Sequence, residues 1–314
     1  MDSEFEEYDF RIIQEIVRHE VEPTFVQKAL STMGKPVDKL LGWVEKVDNK
    51  HVNSALNKIN GIVENGLKLT IKAGNRITSE ENVLNEYKKI YKLELSDVSS
   101  IRKLSIQQMD RVADTYDFSN GFLVATEGAI LGAAATLSEI IPFAQIVIPS
   151  IVVADVTASM TIMSRHVSQI ATSYGYSSYD SINIPDILAA MAPVSSSLDE
   201  GFLTAKAAAA MEIKNAVEFS AKHVGDLLDD IAAPKLVEFI RAIANRLGLV
   251  ITEKELGMLV PVAGAVVNGG LNLAFQQTNH TNAKDYFRKL HLIDRYGEDK
   301  LLLAIAKERN RLTT

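Results

Sequence analysis

The chain has 314 residues, 47% of them hydrophobic and 23% charged, with 33 basic residues against 40 acidic ones and a formal net charge of −7. This composition belongs to a folded chain long enough for one large core or two ordinary ones, and it excludes wholesale disorder. With no run of basic residues there is no electrostatic reason to bind nucleic acid, and the absence of cysteine excludes disulfides, thiolate nucleophiles and cysteine-ligated metal centres.

The opening residues, Met1-Asp2-Ser3-Glu4-Phe5-Glu6-Glu7, are acidic, whereas a secretory signal begins with basic residues and an apolar run. The cytoplasm is therefore the expected compartment. Phe10, Ile13, Ile16 and Val17 form an apolar stripe that stops near Pro23, and a second helix is expected to start at Pro36. Val52, Leu56, Ile59, Ile62, Val63, Leu67 and Ile71 keep a spacing of three and four, which places them on one helical face. Thr78-Ser79-Glu80-Glu81 reads as a helix start, with a hydroxyl to cap and acids for the first turn. Residues 97–117 are polar and charged.

From Gly121 to Met163 the only charged residues are Glu127, Glu139 and Asp155. Gly128 and Gly132 share a helical face on which another helix can pack closely. Pro142 and Pro149 are expected to end or bend a helix, so a hairpin turning near Glu139–Pro142 follows. A Tyr/Ser-rich break covers 173–183. Ordinary amphipathic helix resumes over 205–248, with Pro234 allowing a fresh start. A second segment, charge-free from Leu256 to Ala283, contains Pro261, Gly264, Asn268 and Asn272. A polar helix closes the chain.

The expected fold is all-α: a multi-helix bundle with two small-residue-rich hydrophobic helical hairpins, residues 128–163 and 256–275, at its centre, and Gly128, Gly132, Pro261 and Gly264 as their packing residues. A spanning helix needs about 20 mainly apolar residues. The first segment offers 15 uncharged residues between Glu139 and Asp155, broken by two prolines. The second carries two asparagines and lacks basic flanks. Both read first as buried core and second as surfaces for conditional membrane contact.

Three stretches carry a family resemblance: Glu127-Gly128-Ala129 through Gly132 to Asp155; Arg165, then Ile170-Ala171, then Tyr174-Gly175-Tyr176; and Leu259-Val260-Pro261-Val262-Ala263-Gly264-Ala265-Val266-Val267 with Asn268 and Asn272. Together with the lead-in Leu104-Ser105-Ile106-Gln107-Gln108 they resemble the EcsC-like proteins over roughly residues 90–290. The pattern departs at Ala263 and Asn268, where that family has a bulkier residue and a glycine. The resemblance implies a helical domain, and an association with an ABC transporter through the operon that names the family. It implies no catalytic residue. The expected division is 1–90 for N-terminal amphipathic helices, 91–300 for the EcsC-like domain and 301–314 for a C-terminal tail.

Six histidines are present, none in a His-Glu-x-x-His spacing, and His280 and His291 are too far apart on one helix to chelate together. There is no nucleophile elbow and no phosphate loop. Asp155 sits in an apolar stretch, where a charge must be paired, exposed or neutralised. It reads as an ion-paired or capping residue, or as part of a polar headgroup site with Arg165, Asn268 and Asn272. No cofactor or metal is implied. The favoured reading is a non-enzymatic helical protein, peripheral at the inner face of the membrane, that contacts lipid or a membrane protein such as a transporter. A soluble hydrolase-like enzyme with a dispersed Asp/His/Arg site, and a membrane-acting toxin or effector, stay open as alternatives.

Overall fold

The computed structural model describes residues 4–21, 57, 59–68, 79–117, 144–192, 200–220, 233–258 and 264–313. Among them the regular elements are all helical: α1 (Glu7–Val21), α2 (59–68), α3 (Glu80–Tyr91), α4 (Ile106–Ala113), α5 (Ala144–Ser173), α6 (Ile184–Ala190), α7 (Glu200–Ser220), α8 (Pro234–Met258), α9 (Gly264–Tyr296) and α10 (Glu298–Thr313), with 3-10 turns at Val98–Lys103 and Ser181–Asn183.

Local chemistry explains where these helices begin. Ser79 caps α3 by accepting the Asn82 N–H, and Glu80 and Glu81 occupy the first turn, as the sequence predicts. Ser105 and Gln108 form a reciprocal capping box that starts α4. Pro234 opens α8, where a missing N–H costs nothing. The next two N–H groups, of Lys235 and Leu236, donate to the Glu212 carboxylate of α7 at 3.3 and 2.8 Å. One helix thus caps its neighbour.

Pro149 does not end a helix. It lies in the second turn of α5, which continues for 24 residues beyond it to Ser173. Termination comes instead at Tyr174-Gly175-Tyr176. Gly175, at φ +86°, closes the helix: its N–H reaches the Thr172 carbonyl at 3.0 Å, and that of Tyr176 reaches the Ala171 carbonyl at 2.9 Å. Tyr87 of α3 adds a buried hydrogen bond to the Ser173 carbonyl at 2.6 Å.

The largest core joins α2–α9. Val63, Leu67, Val83, Tyr87, Met109, Met163, Val167, Ile170, Phe202, Phe239, Ile243 and Phe287 are all fully buried in it. A smaller core packs Ile12, Ile13, Ile16 and Val17 of α1 against Ile106, Leu292, Leu301 and Ile305. α4 and α9 contribute to both, so they are the elements the two cores share. Ile59, Val63 and Leu67 confirm the predicted stripe on α2, and Ile13, Ile16 and Val17 that on α1.

Of the expected hairpin residues, Gly128, Gly132, Pro261 and the turn near Glu139–Pro142 lie outside the described residues. Gly264 is the first residue of α9, so the second apolar segment is divided between the end of α8 and the start of α9.

The C-cap geometry yields a test. A Cβ on Gly175 would lie 2.6 Å from Arg102 Cγ and would have to hold a left-handed backbone. Gly175→Ala is expected to destabilise the fold by about 1–3 kcal/mol in urea unfolding. An unchanged midpoint would show that this cap carries no strain cost.

Candidate functional site

α9 presents His280, Lys284 and Arg288 at intervals of four, hence on one face, and all three side chains are buried. Opposite them, antiparallel α4 supplies Asp110 and its C-cap residue Asp114, also four apart. Arg288 grips Asp110 with two parallel bonds, Nε to Oδ1 at 2.9 Å and Nη2 to Oδ2 at 2.7 Å. The hydroxyls of Tyr8 (2.8 Å) and Tyr174 donate to the same carboxylate. Burial disfavours the charged form of Asp110, but the Arg288 bonds and charge, with help from Lys284 and Tyr174, outweigh it and lower its pKa.

The network continues in both directions. Arg288 Nη1 donates to Asp285 at 3.0 Å, and Asp285 meets His19 Nδ1 of α1 at 2.6 Å. Glu20 of α1 accepts from Lys289 at 2.5 Å and from Arg309 of α10 at 2.6 Å. Asp9 accepts from Arg295 at 2.9 Å and from Tyr296 at 2.8 Å. In the other direction Lys284 donates to Asp114, and His280 Nε2 stands 3.3 Å from the same carboxylate. Burial opposes ionisation of Asp114 as well, yet the His280 bond and the Lys284 charge bring it down to about 2. His280 Nδ1 faces His166 Nε2 of α5 at 2.9 Å. Burial, then the neighbouring His280, push the fully buried His166 down to about 3, so it is neutral at physiological pH.

These contacts decide what Asp110 can do. A carboxylate offers about four lone-pair sites, and two guanidinium and two phenolic donors fill them. No acceptor position remains for a proton in transit. Asp110 is a joint between helices and not a general base. At the His166–His280 end two side-chain donors are unspent: the buried amide nitrogens of Gln276 and Asn279 have no hydrogen-bond partner. As they stand, no three His, Asp or Glu side chains among the described residues form a group able to hold a metal ion. A shallow cleft lined by Ile16, Glu20, Ala189, Asp285, Tyr286 and Lys289 has room for about one water.

The residues of the polar site expected from sequence fall on α5 and α9. Asp155 and Arg165 both lie on α5, ten residues apart, hence about 15 Å along the helix axis. Arg165 is exposed. The pairs His166/His280 and Tyr174/Phe287, the latter with ring centroids 6.3 Å apart, show that α5 and α9 run parallel. Counted back along that register, position 155 is level with the 268–272 turn, and Arg165 is not. The side chains of Asp155, Asn268 and Asn272 lie outside the described residues. Sequence reading missed Asp110, Asp114, Lys284 and Arg288. The signal was present in the matching spacing of four on α4 and α9, but which acid meets which base is set by packing.

Parallel packing has a second consequence. α5 carries no charge before Asp155, and α9 none before Lys284. Their charge-free halves therefore share one end of the pair, and the ion-pair network occupies the other. No helix among the described residues is long and apolar enough to cross a membrane.

Fold and site together define an all-α bundle knit by buried ion pairs along one long helix. A family model described as the EcsC protein family matches residues 11–292, and the chain belongs to that family. The match takes in α1 from Arg11 and stops within α9, so α10 lies beyond it. No curated protein and no solved structure matches the chain.

Asp110→Asn would leave the Arg288 guanidinium buried and short of its counter-charge, and is expected to cost about 3–5 kcal/mol. Because the folded pKa of Asp110 is depressed, its contribution is complete above the unfolded carboxylate value of about 3.9 and is lost as pH falls through the folded value. Unfolding midpoints measured from pH 6 downward should therefore fall below about pH 4 in the wild type, and the Asp110→Asn variant should lose that part of the acid dependence.

Proposed function

We propose that this EcsC family protein is a non-enzymatic, membrane-associated helical protein, peripheral at the inner face of the membrane, which sets its apolar end against lipid. The observation that carries this reading is the parallel packing of α5 and α9, which gathers two charge-free helical halves at one end of the pair. An end of that kind partitions into the headgroup–acyl boundary without crossing it, as interfacial helices do. The lack of a spanning helix among the described residues suits a peripheral mode. A membrane protein such as an ABC transporter, suggested by the operon that names the family, is the other partner such an end would accept. The saturated Asp110 carboxylate speaks against a hydrolase centred on it.

Co-flotation with vesicles tests this. The chain is acidic overall, so attachment through the apolar end should occur on neutral phosphatidylcholine vesicles and persist at high salt. Val147→Asp and Val266→Asp, placed in the two charge-free halves, are expected to abolish flotation while leaving the thermal midpoint of the folded protein in place. Added binding on phosphatidylserine vesicles that disappears in Asp155→Ala/Arg165→Ala would mark a headgroup site at those residues. A wild-type protein that stays in the dense fraction under every lipid and pH condition would rule out lipid contact and leave the transporter as partner.

A further inference from the structure

Between its charge-free half and its ionic half, α9 holds two donors that the bundle does not use. Gln276 and Asn279 are 1% and 7% exposed, and the amide nitrogen of each is buried with no hydrogen-bond partner. They lie three residues apart and so share one side of the helix. A buried donor gives up its bonds to water, and an orphan of this kind is uncommon in a folded chain. Two within a single turn form a matched pair of donors for one incoming acceptor. The polar groups next to them are already engaged, His166 with His280 and Asp114 with Lys284.

We propose that Gln276 and Asn279 bind the carbonyl oxygen of a long-chain acyl group, in a free fatty acid or an ester-linked phospholipid, whose tail follows the charge-free half of α9. Amide donors are neutral and suit a carbonyl. A phosphate calls for a cation, and the next two along α9, Lys284 and Arg288, are already held by Asp114 and Asp110. From Gly264 to Gln276 the helix rises about 18 Å, which suits a long tail and far exceeds a short acid. The order along α9 is an uncharged half to Phe275, neutral amides at 276–279, and charge from Lys284 onward. A lipid presents its groups in the same order, as hydrocarbon, ester carbonyl and headgroup. This assignment rests on the lipid contact proposed above and names the chemical group that contact recognises.

The test uses the untagged full chain, stripped of co-purified lipid on a hydrophobic resin and mixed with defined lipids for native mass spectrometry. The probes are palmitic acid, a diacyl phosphatidylcholine, and the dialkyl ether phosphatidylcholine of the same chain length, which keeps tail and headgroup but lacks the carbonyl. One acyl lipid per chain is expected. An ester ligand shows as a diacyl form held at least about tenfold more tightly than the ether form, and a free-acid ligand as palmitic acid bound with neither phosphatidylcholine. Gln276→Leu/Asn279→Leu removes both donors at little change in volume. It should fold with a thermal midpoint no lower than that of the wild type and lose at least about tenfold in acyl binding. Should it fail to fold, Asn279→Leu alone and the diacyl–dialkyl comparison decide the matter. No acyl lipid on the wild type, equal retention of ether and ester forms, or binding unchanged in a folded variant would each overturn the site. The double variant keeps both charge-free halves and should still float on vesicles. A wild type that floats but takes up no acyl lipid overturns this site alone, and one that takes up acyl lipid but never floats overturns the peripheral attachment alone.

Discussion

The Arg288–Asp110 pair is the buried joint on which the meeting of α1, α4, α5 and α9 depends. Four helices meet there, because α9 brings the guanidinium, α4 the carboxylate, and α1 and α5 the hydroxyls of Tyr8 and Tyr174. Burying two charges costs several kcal/mol per ion unless the geometry is good and the remaining hydrogen-bond capacity is spent. Here the planar fork matches the carboxylate and the phenols use what is left. Such a pair also fixes register. A slip of α9 over α4 by one turn would still offer Lys284 to Asp110 and His280 to Asp114, but Asp110 would lose the two-pronged guanidinium of Arg288.

The same helix accounts for the division of the molecule. From Lys284 onward, α9 is ordinary in composition and works through charge, tying itself to α4 through the buried Asp110 and to α1 through the buried carboxylates of Asp9 and Glu20, the last of which also accepts from Arg309 of α10. Before Lys284 it has no charge at all, and the parallel α5 repeats the pattern. One helix pair therefore has an end held by specific, directional bonds and an end whose segments carry no charge before Asp155 and Lys284.

Much of the helical frame was legible in the sequence. The apolar stripe of α2, the Ser79 cap, the Pro234 start and the break after Ser173 all follow from rules that act over a few residues, and all appear where those rules put them. Tyr174-Gly175-Tyr176 was recognisable as a motif, and its reasons are now physical: the first tyrosine completes the Asp110 joint, and the glycine takes a left-handed cap against Arg102. Pro149, expected to end or bend a helix, does not end α5: at the sixth position its missing N–H forfeits one bond, to the carbonyl of residue 145, and the rest of a 30-residue helix outweighs that loss. The candidate site was the least legible part. Asp155 drew attention as a charge in an apolar run, whereas Asp110 and Arg288 sat unremarked among other charges.

Composition and spacing alone established that the chain is helical, that it lacks thiol chemistry, and that 121–163 and 256–283 are nearly or wholly without charge. Those properties are local or additive, so they survive being read one residue at a time. Tertiary structure alone decided that α5 and α9 run parallel, that His166 faces His280, and that Asp110 is saturated by four donors. Each of those depends on the mutual placement of segments more than 60 residues apart in the chain. That placement is a property of shape and burial summed over the whole core, which no short stretch of sequence contains.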